Sequence, residues 1–205
     1  MTRPKTISCV LFDLDGVLVD ACEWHYTSLN RALMDVAGLQ ISRADHEVRF
    51  NGLPTKVKLE MLSVKEKDFD LIWRLKQKYT LDEIARSSAV RPEKIELLSF
   101  LKVRGAKIAC VTNSIRLTAE QMLRAAGQID FFDRIVTNED TQRNKPFPDC
   151  YNYAIRELQS DPDETLCVED SEKGIAAAKS SLAKYVWEVA NFEDVNLQNY
   201  LEFIK

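Results

Sequence analysis

Hydrophobic and polar positions change their rhythm twice along this chain. Residues 7–12 (ISCVLF) form a short, mostly apolar run ending in charge, the pattern of a buried strand. Over residues 24–37 the apolar positions Trp24, Leu29, Leu33, Val36 and Ala37 recur at helical spacing, and Gly38 supplies a C-terminal stop. The stretch 50–55 (FNGLPT) reads as a turn, with Thr55 predicted to cap a helix over 56–62. A longer helix is predicted over 65–86, with Phe69, Ile72, Trp73, Leu75 and Leu81 as its apolar positions. Trp24, Phe69 and Trp73 are expected in the core of this helical stretch rather than on a binding face.

Beyond residue 90 the pattern alternates. Helices are predicted over 93–103 (opened by Pro92, closed by Gly105), 117–126 (ended by Gly127), 149–158, 173–181 and 197–204. Between them lie strand-like runs at 107–111, 134–136, 165–168 and 184–189. Strands alternating with helices predict an α/β fold, a parallel sheet with crossover helices, to which the run 7–12 also belongs. The helical stretch is then an insertion after the first strand. The expected organisation is an α/β core over 1–20 and 87–205 with a helical cap domain over 21–86; no internal repeat or low-complexity linker is present.

Composition narrows the function classes. With 205 residues the chain can bury one core plus a small appended domain. A net charge of −4 provides no global field for nucleic acid or anionic lipid. The local basic groups Lys56, Lys58, Lys65, Lys67 and Arg74, Lys76, Lys78 read as solvated helix faces. The five cysteines form no CxxC pair, and Cys9, Cys110 and Cys167 sit in strand-like runs, which points to free thiols in a reducing compartment. No apolar stretch approaches the ~20 residues of a membrane span, and the N-terminal run is too short for a signal sequence. The expectation is a cytoplasmic monomer acting without nucleic acid or membrane.

Chemistry collects at the predicted strand ends. Asp13 ends the first strand, and one apolar residue later come Asp15 and Gly16. Two carboxylates this close repel unless a cation lies between them or one holds a proton. The second strand runs into Thr112 and Asn113, the strand 165–168 into Glu169 and Asp170, and the stretch 143–149 (RNKPFPD) lies between them. In a parallel sheet these ends meet at one edge, where open α/β sheets bind ligands. Oxygen donors without His or thiolate suit Mg²⁺ rather than Zn²⁺. A lysine and a hydroxyl beside it suit phosphate oxygens, so an adjacent carboxylate implies phosphoryl transfer through an aspartyl phosphate. Taken singly, Thr112 reads as a helix cap, Lys145 equally as a loop lysine or a functional one, Ser171 as an N-cap and Asp149 as a cap or loop brace. Only the joint pattern moves Thr112 and Lys145 to function.

At these residues the chain resembles the haloacid-dehalogenase-like phosphohydrolases. DxDG stands at 13–16, an apolar strand followed by Thr at Thr112, the Lys of KPxPD at Lys145, and the acidic pair at Glu169 and Asp170. The runs GVLVD, VTNS and EDSEKGIAAAK extend the likeness over nearly the whole chain. The resemblance implies a three-layer doubly wound parallel sheet, Rossmann-like, with an inserted helical cap. It implies Asp13 as nucleophile and metal ligand, and Asp15 as general acid/base whose backbone carbonyl also binds Mg²⁺. Thr112 and Asn113 are implied to hold the transferring phosphoryl group and Lys145 to neutralise it, with Asp170 ligating Mg²⁺ and Glu169 doing so directly or through water. The insertion resembles the cap of the β-phosphoglucomutase-like and phosphoglycolate-phosphatase-like members, which covers the site and carries selectivity. His25 matches a frequent hinge histidine, Gly52 the glycine of a cap loop, and Arg49 stands just before that loop. The mutase pattern has Lys before the loop glycine and Arg three residues after it; here those positions are Asn51 and Thr55. A phosphatase acting on a small phosphorylated metabolite is therefore expected, ahead of a phosphosugar mutase or a catalytically silent relative. A phospho-accepting receiver domain is excluded by the length, the insertion and the motif order.

Overall fold

The apolar run at the N-terminus becomes the central strand of a parallel sheet. The computed structural model describes residues 6–50 and 53–205. Strands β1 (Cys9–Phe12), β2 (Lys107–Val111), β3 (Arg134–Val136), β4 (Thr165–Glu169) and β5 (Tyr185–Glu188) lie in the order β3-β2-β1-β4-β5. Every pairing is parallel. Helices α1 (Cys22–Ala37), α2 (Arg43–Asp45), α3 (Thr55–Met61) and α4 (Phe69–Ser87) follow β1 in the chain. Helices α5 (Pro92–Val103), α6 (Arg116–Ala125), α7 (Asp149–Glu157), α8 (Glu172–Lys179) and α9 (Leu197–Phe203) alternate with the remaining strands or follow them.

Strand order decides the layering. From β1 the chain steps outward to β2 and β3, then returns past β1 to β4 and β5. Right-handed crossovers in opposite directions put their helices on opposite faces. Accordingly Cys9, Leu11, Ala109 and Cys167 pack with Tyr151 and Ala154 of α7 and Ala177 and Ala178 of α8. The alternate residues Val10, Phe12, Ile108, Cys110, Leu166 and Val168 are equally buried and face the other way, toward the layer of α5 and α6. The result is the expected three-layer, doubly wound α/β core. Its register also sets the site. Phe12 lies opposite both Cys110 and Val168, so the next residues, Asp13, Val111 and Glu169, stand level at one edge.

The described chain divides into two compact units, one holding the residues up to Asp20 together with Ala89–Lys205, the other Ala21–Ser88. The second is helical and has a core of its own, which includes Leu29, Leu33, Phe50, Leu59, Ile72 and Tyr79. Gly38 ends α1 in the left-handed region (φ 65°), as its sequence position predicts. Three local expectations need correction. Thr55 is the first residue of α3, not its cap; Pro54, extended at ψ 145°, occupies the boundary. The helix predicted from residue 65 starts as a 3-10 turn over Glu66–Asp68 before α4 begins. Trp73 is 41% exposed, because Ile72 takes the buried position and its successor is turned about 100° around the helix. Trp24 is buried, and Phe69 packs against the unit's core.

Within this unit His46 is 2% exposed, and its Nε2 has no hydrogen-bond partner among the described residues. Burial, with the positive charge of Lys58 and the nearby His25 adding to it, pushes the imidazole down to about 4. The folded state thus favours neutral imidazole. Its contribution to stability is intact above pH 6.5 and is lost as pH falls toward 4, a difference of roughly 3 kcal/mol over that window. In urea titrations the advantage of the native protein over His46→Gln should shrink by that order between pH 7 and pH 4.5. An advantage independent of pH would contradict the assignment.

Candidate active site

The turn after β1 places the first two acids. Leu14, between them, is fully buried. Leu18 and Val19 each donate a backbone N–H to the Leu14 carbonyl, at 2.9 Å, and Gly16 N donates to Val19 O at 2.8 Å. Gly16 holds φ at 87°, and a Cβ added there would lie 2.0 Å from Asp170 Oδ2. The tight turn therefore needs glycine twice, for its backbone and for the carboxylate seated against it.

Around Asp13 the other strand ends converge. Lys145 Nζ donates to Asp13 Oδ1 at 2.5 Å, to Glu169 Oε1 at 2.6 Å and to the Val111 carbonyl at 2.7 Å. Those three bonds use all three ammonium hydrogens. The Lys145 backbone is itself clamped: its N–H donates to Asn113 Oδ1 at 3.1 Å, and Asn113 Nδ2 donates to its carbonyl at 3.3 Å. Farther along that loop Arg143 makes a bidentate pair with Asp149, at 3.0 and 2.9 Å; of the two readings Asp149 is the loop brace and not a cap, since Pro148 stands at the boundary of α7. Thr112 Oγ1 accepts from Ser114 N at 3.0 Å rather than capping α6. Ser114 Oγ donates to Asp15 Oδ2 at 3.1 Å. Ser171 does cap α8, accepting from Gly174 N.

Electrostatics set the chemistry of this edge. Burial disfavours the Lys145 ammonium, but Asp13 and Glu169 outweigh it and hold the group protonated, above its ordinary range. Asp13 is pushed up by burial, against the pull of Lys145, with the charges of Glu169 and Asp15 adding to the rise. Asp170 is pushed up to about 6 by burial and by Glu169. One ammonium faces more carboxylates than it can balance, which a cation would relieve. Asp13, Glu169 and Asp170 each offer an oxygen within 4.8 Å of the others. Asp170 Oδ1 is buried and has no partner among the described residues. An all-oxygen donor set with an orphaned carboxylate oxygen fits a hard divalent cation.

Asp13, Asp15, Thr112, Asn113, Lys145, Glu169 and Asp170 all lie in the α/β unit. His25 and Arg49 belong to the helical unit, where His25 Nδ1 meets Lys76 Nζ at 3.2 Å and Arg49 pairs with Asp45 at 3.4 Å. Gly52 and Asn51 lie outside the described residues. Three participants escape a reading of the sequence by itself. Ser114 ends the run VTNS, but nothing in that run says which group its hydroxyl meets. Gly174 permits the packing of Glu169, whose carboxyl lies 2.1 Å from where a Cβ would stand. Tyr151 donates to Glu169 Oε1 at 2.5 Å, although its spacing with Cys150, Ala154 and Ile155 marks it only as helix core.

Comparisons with known proteins point the same way. Residues 10–187 match the family described as haloacid dehalogenase-like hydrolase. A protein named putative pyrophosphatase PpaX from Caldanaerobacter subterraneus subsp. tengcongensis is 32% identical over 190 residues, covering 91% of this chain and 85% of its own. A phosphoglycolate phosphatase from Aquifex aeolicus is 26% identical, covering 92% and 88%. Among solved structures, CbbY from Rhodobacter sphaeroides in complex with phosphate superposes with a TM-score of 0.79 at 25% identity, covering 89% of this chain and 87% of that one.

Proposed function

We propose that this chain, which belongs to the haloacid dehalogenase-like hydrolase family, is a Mg²⁺-dependent phosphatase acting through an aspartyl phosphate on Asp13. Family and relatives make it a phosphoric monoester hydrolase. The proposed substrate is a small phosphorylated metabolite, a sugar phosphate or a phosphorylated acid. The observation that carries the reading is the Lys145 ammonium bridging Asp13 and Glu169 beside the orphaned Asp170 Oδ1.

In this proposal Asp13, Asp170 and the backbone carbonyl of Asp15 would hold the metal, with Glu169 assisting directly or through water. Once bound, the ion supplies positive charge to the phosphoryl oxygens and keeps Asp13 ionised. Asp13 attacks phosphorus, and the bond to the leaving oxygen breaks. Asp15 gives that oxygen its proton, then takes one from the water that splits the aspartyl phosphate. Its carboxyl accepts from the Ser114 hydroxyl at 3.1 Å, which orients it for that proton transfer. Lys145 balances charge on Asp13, while Thr112 and Asn113 flank the transferring group. His25 and Gly52 are assigned to substrate selection by the family resemblance, and Arg49 by its positive charge just before the Gly52 loop.

The test is phosphate release from a panel holding an aryl phosphate, hexose phosphates, phosphoglycolate and pyrophosphate. Turnover should require Mg²⁺, stop with EDTA and return on adding Mg²⁺ back. Because Asp170 must lose a proton to ligate, more Mg²⁺ should be needed as pH falls through about 6. Glucose 1-phosphate supplied with its bisphosphate should not be isomerised. Turnover undiminished by EDTA would remove the metal from the mechanism, and appearance of glucose 6-phosphate would replace the hydrolase with a mutase.

A further inference from the structure

The phosphatase reading leaves one buried hydroxyl in the site without a task, that of Tyr151. The residue is fully buried on the face of α7 that packs against the sheet with Cys150, Ala154 and Ile155. Phenylalanine would fill the same space, so packing accounts for the ring and not for the oxygen. That hydroxyl donates to Glu169 Oε1 at 2.5 Å, the same oxygen that accepts from Lys145 Nζ at 2.6 Å. The ammonium in turn donates to Asp13 Oδ1 at 2.5 Å and lies 4.9 Å from the Tyr151 ring. An unbroken chain of charge-assisted bonds therefore runs from hydroxyl to carboxylate to ammonium to Asp13. Glu169 is fully buried, and with no Cβ on Gly174 its carboxyl has space to shift there, so packing by itself does not fix Oε1.

We propose that Tyr151 is a positioning residue for the hydrolase reaction, its hydroxyl anchoring Glu169 Oε1 and thereby holding the Lys145 ammonium against Asp13. The proposal rests on the assignment of Asp13 as the nucleophile. A lysine has four methylenes and many rotamers, so its ammonium stays at one carboxylate oxygen only if its other partners are themselves fixed. Without the hydroxyl, Glu169 Oε1 keeps Lys145 as its donor and draws the ammonium away from Asp13. The loss then falls on a contact made to the reacting group, not on one made to the substrate.

The experiment is Tyr151→Phe, which keeps the ring. Steady-state kinetics with an aryl phosphate and saturating Mg²⁺ should show kcat lowered about tenfold and KM changed by less than roughly twofold. Independently of turnover, the ¹⁵N–¹H signals of the lysine ammonium groups report on the clamp, Lys145 being identified by the signal missing in Lys145→Arg. Lys94 supplies an internal reference, since its buried ammonium donates to the Phe192 and Val195 carbonyls in the same unit. The expected result is a displaced or broadened Lys145 signal beside an unchanged Lys94 signal. An unchanged Lys145 signal, or an unchanged kcat, would overturn the proposal. So would loss of both ammonium signals with a lowered melting temperature, which would make the hydroxyl merely structural. A wild-type protein without turnover would sink the phosphatase reading instead, while the ammonium signals would still tell whether the clamp exists.

Discussion

Asp13→Asn should abolish turnover, lowering kcat by at least about three orders of magnitude, while the protein stays folded. Asparagine matches aspartate in shape, and its side-chain oxygen still accepts from Lys145, so the anchor seen at 2.5 Å has a replacement. What disappears is the negative oxygen able to attack phosphorus, together with one ligand of the acidic cluster. Removing a buried charge also relieves the repulsion from Glu169 and Asp15 that pushes the Asp13 carboxyl upward. A melt with an intact cooperative transition and phosphate release at background is the expected pair of results. Rapid acid quenching should trap phosphoryl label on the native protein and none on the variant. Native-like turnover by Asp13→Asn would exclude the covalent mechanism.

Gly16→Ala should also be strongly damaging, although it removes no chemical group. At φ 87° an L side chain is strained, at a cost of about 1 kcal/mol. The larger effect is steric, because the new Cβ would stand 2.0 Å from Asp170 Oδ2 and 2.8 Å from the carboxyl carbon. Asp170 must swing away or the turn must open, and either displaces a proposed ligand by about an ångström. Misplacement on that scale costs about 100-fold in rate. Gly38→Ala is the matched control, since its φ is also positive (65°) but nothing lies within 4 Å of the new Cβ. Gly16→Ala should show kcat/KM lowered about 100-fold and weaker Mg²⁺ binding by calorimetry, with Gly38→Ala near native in both. Equal effects of the two variants would assign the damage to backbone strain and not to Asp170.

Much of this was legible beforehand because its causes are local. The run 7–12 reads as a buried strand since all its positions but Ser8 are apolar, and the strand that forms, Cys9–Phe12, begins just after that serine and is buried on both faces of the sheet. Strands 107–111 and 134–136 have the predicted bounds, each opening on a basic residue and closing before a threonine. The misreadings are places where a neighbour's geometry overrode a residue's own preference. Thr55 has the chemistry of a cap, yet Pro54 stands at the boundary with its φ already set. Trp73 has the largest apolar side chain in its stretch, yet the phase of α4 is set by Ile72 and Tyr79 in the unit's core.

By itself the sequence determined the alternation of strands and helices, the insertion after the first strand, and the acids, hydroxyl and lysine that end or link the strands. Those follow from periodicity and from residue chemistry at short range. The tertiary structure alone decided who meets whom. Lys145 reaches Asp13 across 132 positions of chain, Ser114 reaches Asp15 across 99, and Tyr151 turns from a core aromatic into a donor to Glu169. Hydrogen bonds are satisfied within about 3 Å and in one direction, so their partners are set by the register of β1 between β2 and β4, which no single stretch of the chain contains.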